Sequence, residues 1–220
     1  MDQRTTTRTW VITLAVIIAV VALVIGITIT VDKHRTTTSH DPVAETVIST
    51  APLPKAILVT TDSPNDPITL TVGDETTRIV GVSAKANGVL DPPSDVSTVG
   101  WDVHSSQPGT PGVTLIVGHS DDWQKVGAAK KWATLGHGDT LFVRGRNHTQ
   151  WFYRVKKVLR ISKMERFPQQ LVNRRTGRNQ LVLVTCAGRV VGGSLGHEDN
   201  VFIVADLVGS RKLKELTLNQ

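Results

Sequence analysis

Cys186 is the only cysteine among the 220 residues, and it closes the apolar run Leu181-Val182-Leu183-Val184-Thr185. A lone cysteine has no internal disulfide partner, so it is either a small buried hydrophobe or a thiol kept for its chemistry. His119 stands in a similar place, because Val113-Thr114-Leu115-Ile116-Val117 leads through Gly118 directly into it. Each run carries a reactive side chain to the point where an apolar strand meets a glycine-containing loop. A thiol needs a base or cation beside it to become a thiolate, and an imidazole can also hand the proton back to a leaving amine. A lone histidine after an apolar strand is ordinarily a surface residue. Two such strand ends, one holding the sole cysteine, are less easily dismissed.

The elements that must position this pair follow from the rest of the chain. Trp10 to Val31 reads WVITLAVIIAVVALVIGITITV without a charge. At about 1.5 Å per residue it reaches roughly 33 Å, enough to cross a bilayer core. A cleavable leader normally has a shorter apolar region and a small-x-small site, whereas this run continues into Asp32-Lys33-His34-Arg35. An uncleaved single-pass anchor is therefore expected, with residues 1–9 as a cytoplasmic head and 10–31 as the span. The flanking charges are balanced, and the long tail after a short head favours an extracellular folded domain. Disulfides form readily in that compartment, which sharpens the question of why one unpartnered thiol is retained. Residues 32–53 are rich in Thr, Ser, Asp and Pro without apolar periodicity and read as a solvated stalk. A folded domain is expected over 54–212, and 213–220 form a tail.

Within that domain the apolar runs are short, β-branched and separated by turn residues. They are Ile68–Val72, Arg78–Val82, Val113–Val117, Thr140–Arg144, Thr149–Ile161, Leu181–Thr185 and Val201–Val208. This pattern predicts an all-β sandwich or closed barrel. Only Trp123–Leu135 and Met164–Arg175 read as short helices.

The formal charge is +6, and much of the basicity lies between Arg144 and Arg178, where eleven Lys and Arg residues face only Glu165. Attraction to anionic polymers or head groups is one reading, and a solvated outer face is the simpler one. No nucleic-acid-binding motif accompanies it, so nucleic acid is not an expected partner. No glycine loop for a nucleotide phosphate occurs, and no cofactor is expected. His119, Asp121 and Asp122 read as a turn rather than a metal site. His137 reads as a turn residue, His197 beside Glu198 as an exposed one, and Trp101, Trp123, Trp132 and Trp151 as core or rim residues.

Taken together, Val99-Gly100-Trp101, Pro108-Gly109-Thr110-Pro111-Gly112, Leu115-Ile116-Val117-Gly118-His119-Ser120-Asp121, Leu183-Val184-Thr185-Cys186 and Asp199-Asn200-Val201-Phe202-Ile203-Val204-Ala205 resemble a sortase, most like the actinobacterial class E/F type. The resemblance covers nearly all of the chain past Pro54. It implies a closed eight-stranded β-barrel with short helices, preceded by one transmembrane helix, and a transpeptidase acting outside the cell membrane. Such enzymes cut a surface protein's C-terminal sorting peptide of the Leu-Pro-x-Thr-Gly kind and join the new carboxyl end to an amine, commonly of a peptidoglycan precursor. By motif position Cys186 is the nucleophile that forms the thioester, and His119 is the acid and base.

One position departs from the pattern. Related sequences carry an arginine immediately before Asp-Asn-Val, where it donates hydrogen bonds to substrate or oxyanion, and this chain has Glu198. A carboxylate cannot donate those bonds at neutral pH. Arg189, three residues after Cys186, is the candidate replacement, and its simpler reading is an ordinary loop charge. Two other functions therefore stay open: an anchored, non-catalytic peptide-binding protein with a sortase-like barrel, and a cell-wall cysteine hydrolase. The latter normally has a Ser-x-Gly-Cys surround, which Val-Thr-Cys-Ala-Gly lacks.

Overall fold

Short β-branched runs between turn residues become nine strands in the computed structural model, which describes residues 53–121, 124–193 and 195–214. The head, the apolar span, the stalk up to residue 52, Asp122, Trp123, Ser194 and the tail from residue 215 lie outside the described residues. Among the described residues no helix is long and apolar enough to cross a membrane. The strands are β1 (Ile57–Val59), β2 (Pro67–Val72), β3 (Glu75–Ser83), β4 (Thr98–Asp102), β5 (Val113–Val117), β6 (Thr140–Gly145), β7 (Thr149–Ser162), β8 (Gln180–Gly192) and β9 (Gly196–Lys212).

Eight of them close into a barrel. The order is β3-β2-β6-β7-β9-β8-β5-β4, and β4 returns to pair with β3. The pairings β3–β4 and β5–β8 are parallel, and the remaining neighbours are antiparallel. Closure leaves no long unpaired edge. The three residues of β1 pair with the end of β3, over Gly81 to Ser83.

Strand alternation sorts the apolar side chains into two clusters. One takes residues from all eight barrel strands, among them Leu70, Ile79, Val99, Ile116, Leu141, Tyr153, Leu181 and Ile203, and so fills the barrel interior. Trp132 and Ala129 join it. The other lies on the outer wall, where Leu115 and Val117 of β5, Val182 of β8, and Phe202 and Val204 of β9 pack with Val82 and Val172. Tyr153, fully buried in the interior, donates its hydroxyl hydrogen to Asn179 Oδ1 at 2.6 Å. Burial holds its ionisation well above the ordinary phenol range.

Both expected helices are shorter than the sequence pattern suggests. Trp123–Leu135 yields only a 3-10 helix over Lys130–Thr134. The backbone N–H groups of Gly127 and Ala129 are already committed to the carbonyls of Ser120 (2.9 Å) and His119 (3.1 Å), so no helical turn starts before them. Met164–Arg175 yields α1 (Gln169–Val172), with Pro168 as its first flanking residue and Asn173 as its last. Proline suits the start of a helix and prevents its extension backwards.

Candidate active site

Counting along two strands places the site. Leu115 and Val117 face outward on β5, so His119, two residues further on, continues that face. Val182 and Val184 do the same on β8, and Cys186 follows them. The parallel register aligns Val117 with Val184, and Gly118 N–H donates to Val184 O at 3.1 Å. His119 and Cys186 each stand two residues beyond that last aligned pair. Both line one groove of about 1070 Å³, whose apolar wall includes Val89, Leu90, Val126, Phe167 and Leu195. His119 is buried, at 8% exposure, and Cys186 is half-buried.

The backbone beneath His119 is tightly held. Its carbonyl accepts the Ala129 N–H, and Gly127 lies so close that a Cβ there would collide with the His119 carbonyl group. The next two residues tie this loop to the opposite hairpin. His197 corrects its sequence reading as an exposed residue: its side chain is 14% exposed and its Nε2 lies 2.7 Å from Asp121 Oδ1. The other ring nitrogen, Nδ1, lies 3.1 Å from Gly188 O. Lys130 Nζ reaches Asp121 Oδ2 at 2.6 Å. Burial raises the ionisation of Asp121, but the hydrogen bonds and charges of Lys130 and His197 outweigh it, and the carboxyl sits below its ordinary value. His137 does fall in a turn, and Trp101, Trp132 and Trp151 are buried in the interior cluster.

Across the sheet, Cys186 opposes Asn200 of β9, and Asn200 opposes Ile161 of β7. Opposed residues share a face, and Lys163 lies two residues past Ile161. Its Nζ is 3.4 Å from Cys186 Sγ and 2.6 Å from Leu195 O. Sequence reasoning missed this residue, because Lys163 is one of eleven basic residues in a stretch whose other members on β7, such as Arg154, Lys156 and Arg160, are exposed.

Glu198 is engaged by cations. Its Oε2 accepts from Arg189 Nε at 3.2 Å, its Oε1 accepts the Arg189 backbone N–H at 3.2 Å, and Arg160 lies 3.9 Å away. The Arg189 side chain is 85% exposed and is not among the residues that line the groove. Cys186 and His119 thus line the same groove, while Arg189 is engaged at Glu198.

A family model for the sortase domain matches residues 68–208. No curated protein matches the sequence. Among solved structures, sortase A from Corynebacterium diphtheriae superposes with a TM-score of 0.51 at 16% identity, covering 69% of this chain and 63% of that one. Sortase C-1 from Actinomyces oris gives 0.50 at 16% identity, covering 66% and 75%. The pilus-related sortase C of Group B Streptococcus gives 0.50 at 15% identity, covering 68% and 70%. The chain therefore spans less than two thirds of the diphtherial protein, and at these identities the likeness is one of fold. The family model, by contrast, takes in more than half of the 220 residues, and the chain belongs to the sortase family.

Proposed function

We propose that the protein is a membrane-anchored cysteine transpeptidase, most like the class E/F sortases, acting on a Leu-Pro-x-Thr-Gly-like sorting peptide outside the cell. The observation that supports this reading is the parallel β5–β8 pairing, whose two strands lead to His119 and Cys186 in the lining of one groove. In the first step the Cys186 thiolate attacks the threonine carbonyl carbon. The S–C bond forms and the carbonyl π pair moves to oxygen. Collapse restores the carbonyl, breaks the C–N bond and leaves a thioester, while protonated His119 gives its proton to the departing glycine amine. In the second step an amine of a peptidoglycan precursor attacks the thioester. Its surplus proton passes to His119, the C–S bond breaks, and the thiolate returns. Two such steps through a covalent intermediate replace one difficult amide exchange. The span at 10–31 would hold the barrel beside its membrane-linked substrates.

Glu198 favours a second reading, a non-catalytic barrel that holds a peptide tail, because a carboxylate occupies the arginine position. Mass spectrometry of the full chain with a sorting-motif peptide and a soluble amine separates the readings. Transpeptidation requires an acyl adduct on Cys186 that the amine discharges, none in Cys186→Ala, and a loss of about 10²–10⁴ in turnover for His119→Ala. Binding without an adduct identifies the peptide-holding protein. An adduct released only to water identifies a hydrolase.

A further inference from the structure

We propose that Lys163 supplies the positive charge at the nucleophile in this chain, the part that Glu198 cannot play. The inference rests on the transpeptidase reading for its peptide chemistry, but its physical core concerns the thiol alone. A cysteine acts as a nucleophile through its thiolate, and a neighbouring cation raises the thiolate fraction. Lys163 Nζ is the cation in contact with Sγ, at 3.4 Å. Arg189, the alternative, spends its guanidinium on Glu198 and stands clear of the groove lining.

The ammonium is placed there by three independent restraints. The Lys163 backbone N–H donates to Glu198 O at 2.9 Å, which extends the β7–β9 ladder by one rung beyond Ser162↔Asp199. The side chain then lies along the face shared by Ile161, Asn200 and Cys186. At its tip, Nζ donates to Leu195 O at 2.6 Å, in the loop between β8 and β9. A lysine with one donor fixed on a carbonyl and another aimed at sulfur is a held charge, not a mobile surface one. Glu198 completes the arrangement from the other side. Glu198 holds Arg189, and Asp199 holds Arg160 at 2.5 Å, while Lys163 reaches the sulfur.

In the reaction Lys163 acts through its charge and transfers no proton. It stabilises the thiolate before attack and again when sulfur leaves the thioester, and His119 moves the protons. Lys163 touches a reacting atom and is a catalytic residue in that sense.

The test uses the full-length protein in detergent solution. Cys186 is its only cysteine, so alkylation by iodoacetamide at pH 7 reads that thiol alone. Lys163→Met keeps the aliphatic stem and removes the charge, and it should slow alkylation about tenfold. Lys163→Arg should recover the rate to within about threefold, since it restores the charge at a different reach. Arg189→Ala should leave the rate unchanged. Thermal unfolding of each variant guards against a folding defect, and Lys163→Gln serves if the methionine variant is unstable. An unchanged rate in Lys163→Met, or an equal loss in Arg189→Ala, overturns the proposal. Peptide acylation is then measured on the same samples. Loss of kcat with KM retained in Lys163→Met extends the role to turnover. Slowed alkylation in a protein whose parent never acylates keeps Lys163 as the thiol's cation and overturns the transpeptidase reading instead.

Discussion

Gly127→Ala should disable the site from a residue that touches no substrate. A Cβ built at Gly127 runs into the carbonyl oxygen of His119, and it would stand 2.7 Å from that residue's carbonyl carbon and 2.9 Å from the carbonyl carbon of Ser120. Carbon atoms pack best at about 3.5–4.0 Å, so one of the two backbones must retreat by about 1 Å. Neither can do so freely. Gly127 N–H is bonded to Ser120 O, Ala129 N–H is bonded to His119 O, and Ala129 is fully buried in the barrel interior. Overpacking of this kind costs about 1–3 kcal/mol, against about 0.4–1 kcal/mol gained from a stiffer unfolded chain. A net loss of about 1–2 kcal/mol is expected by these figures. A shift of about 1 Å in a group that must meet sulfur costs about a hundredfold in rate. Urea unfolding and acyl-adduct formation on the same preparation measure both effects. Gly136→Ala is the control, since a Cβ at that position would have nothing within 4 Å, and it should be neutral in both assays. If Gly127→Ala matches the parent in stability and acylation, the close seating of His119 on this glycine is not what fixes its position.

Tyr153 is the sole tyrosine, so tyrosinate absorbance at about 295 nm follows one buried group. Its folded ionisation is raised by burial, so its contribution to stability is complete below about pH 10 and is lost as pH rises beyond that. The absorbance step should coincide with loss of tryptophan-reported structure, and a tyrosinate signal from intact protein near pH 10 would contradict the burial argument. Asp121 has the opposite sign. Its folded value is depressed, so its contribution is present above about pH 3.9 and disappears as pH falls through the folded value. The stability gap between parent and Asp121→Asn should therefore close in acid, and a gap constant from pH 7 to 3 would remove Lys130 and His197 as its cause. Tyr153→Phe should cost about 1 kcal/mol in chemical unfolding, because Asn179 Oδ1 loses one donor but keeps the Gly109 N–H at 3.1 Å.

The strands that were legible in sequence were those whose side chains make a continuous apolar signal. Val113–Val117 matches β5 residue for residue, and the runs starting at Thr140 and Thr149 begin β6 and β7. β4 gave no such signal because Gly100 interrupts it. The structure supplies the reason, since a Cβ there would meet the Val82 methyl carbons at 2.7 and 2.9 Å, where β3 and β4 run side by side. That Cys186 and His119 each follow an apolar strand was legible, but the parallel pairing that leads both strands to one groove was not, because nothing in a sequence announces which distant strands pair. Lys163 and the His197–Asp121 contact were hidden for a related cause. Lys163 depends on the β7–β9 and β8–β9 registers, and His197 on a β8–β9 register that shifts at a bulge between Ala187 and Val190 and on the loop after β5 that brings Asp121 to it. Charge density alone ranked Lys163 with its exposed neighbours.

The parallel ladder between β5 and β8 also bears on when the groove is assembled. No hairpin joins these strands; β6, β7 and α1 intervene between them in the chain. Such distant pairings form late, because the entropy of closing a long loop must be overcome before the contact returns anything. Until the ring closes, the ends of β5 and β7 that lead to His119 and Lys163 are not assembled around the Cys186 groove. On the proposed reading, the sulfur is dormant as the chain emerges from synthesis, and completion of the barrel is the activation step. A polypeptide cut between the two strands would carry half of the machinery on each piece, inert apart and competent only when the pieces reassociate.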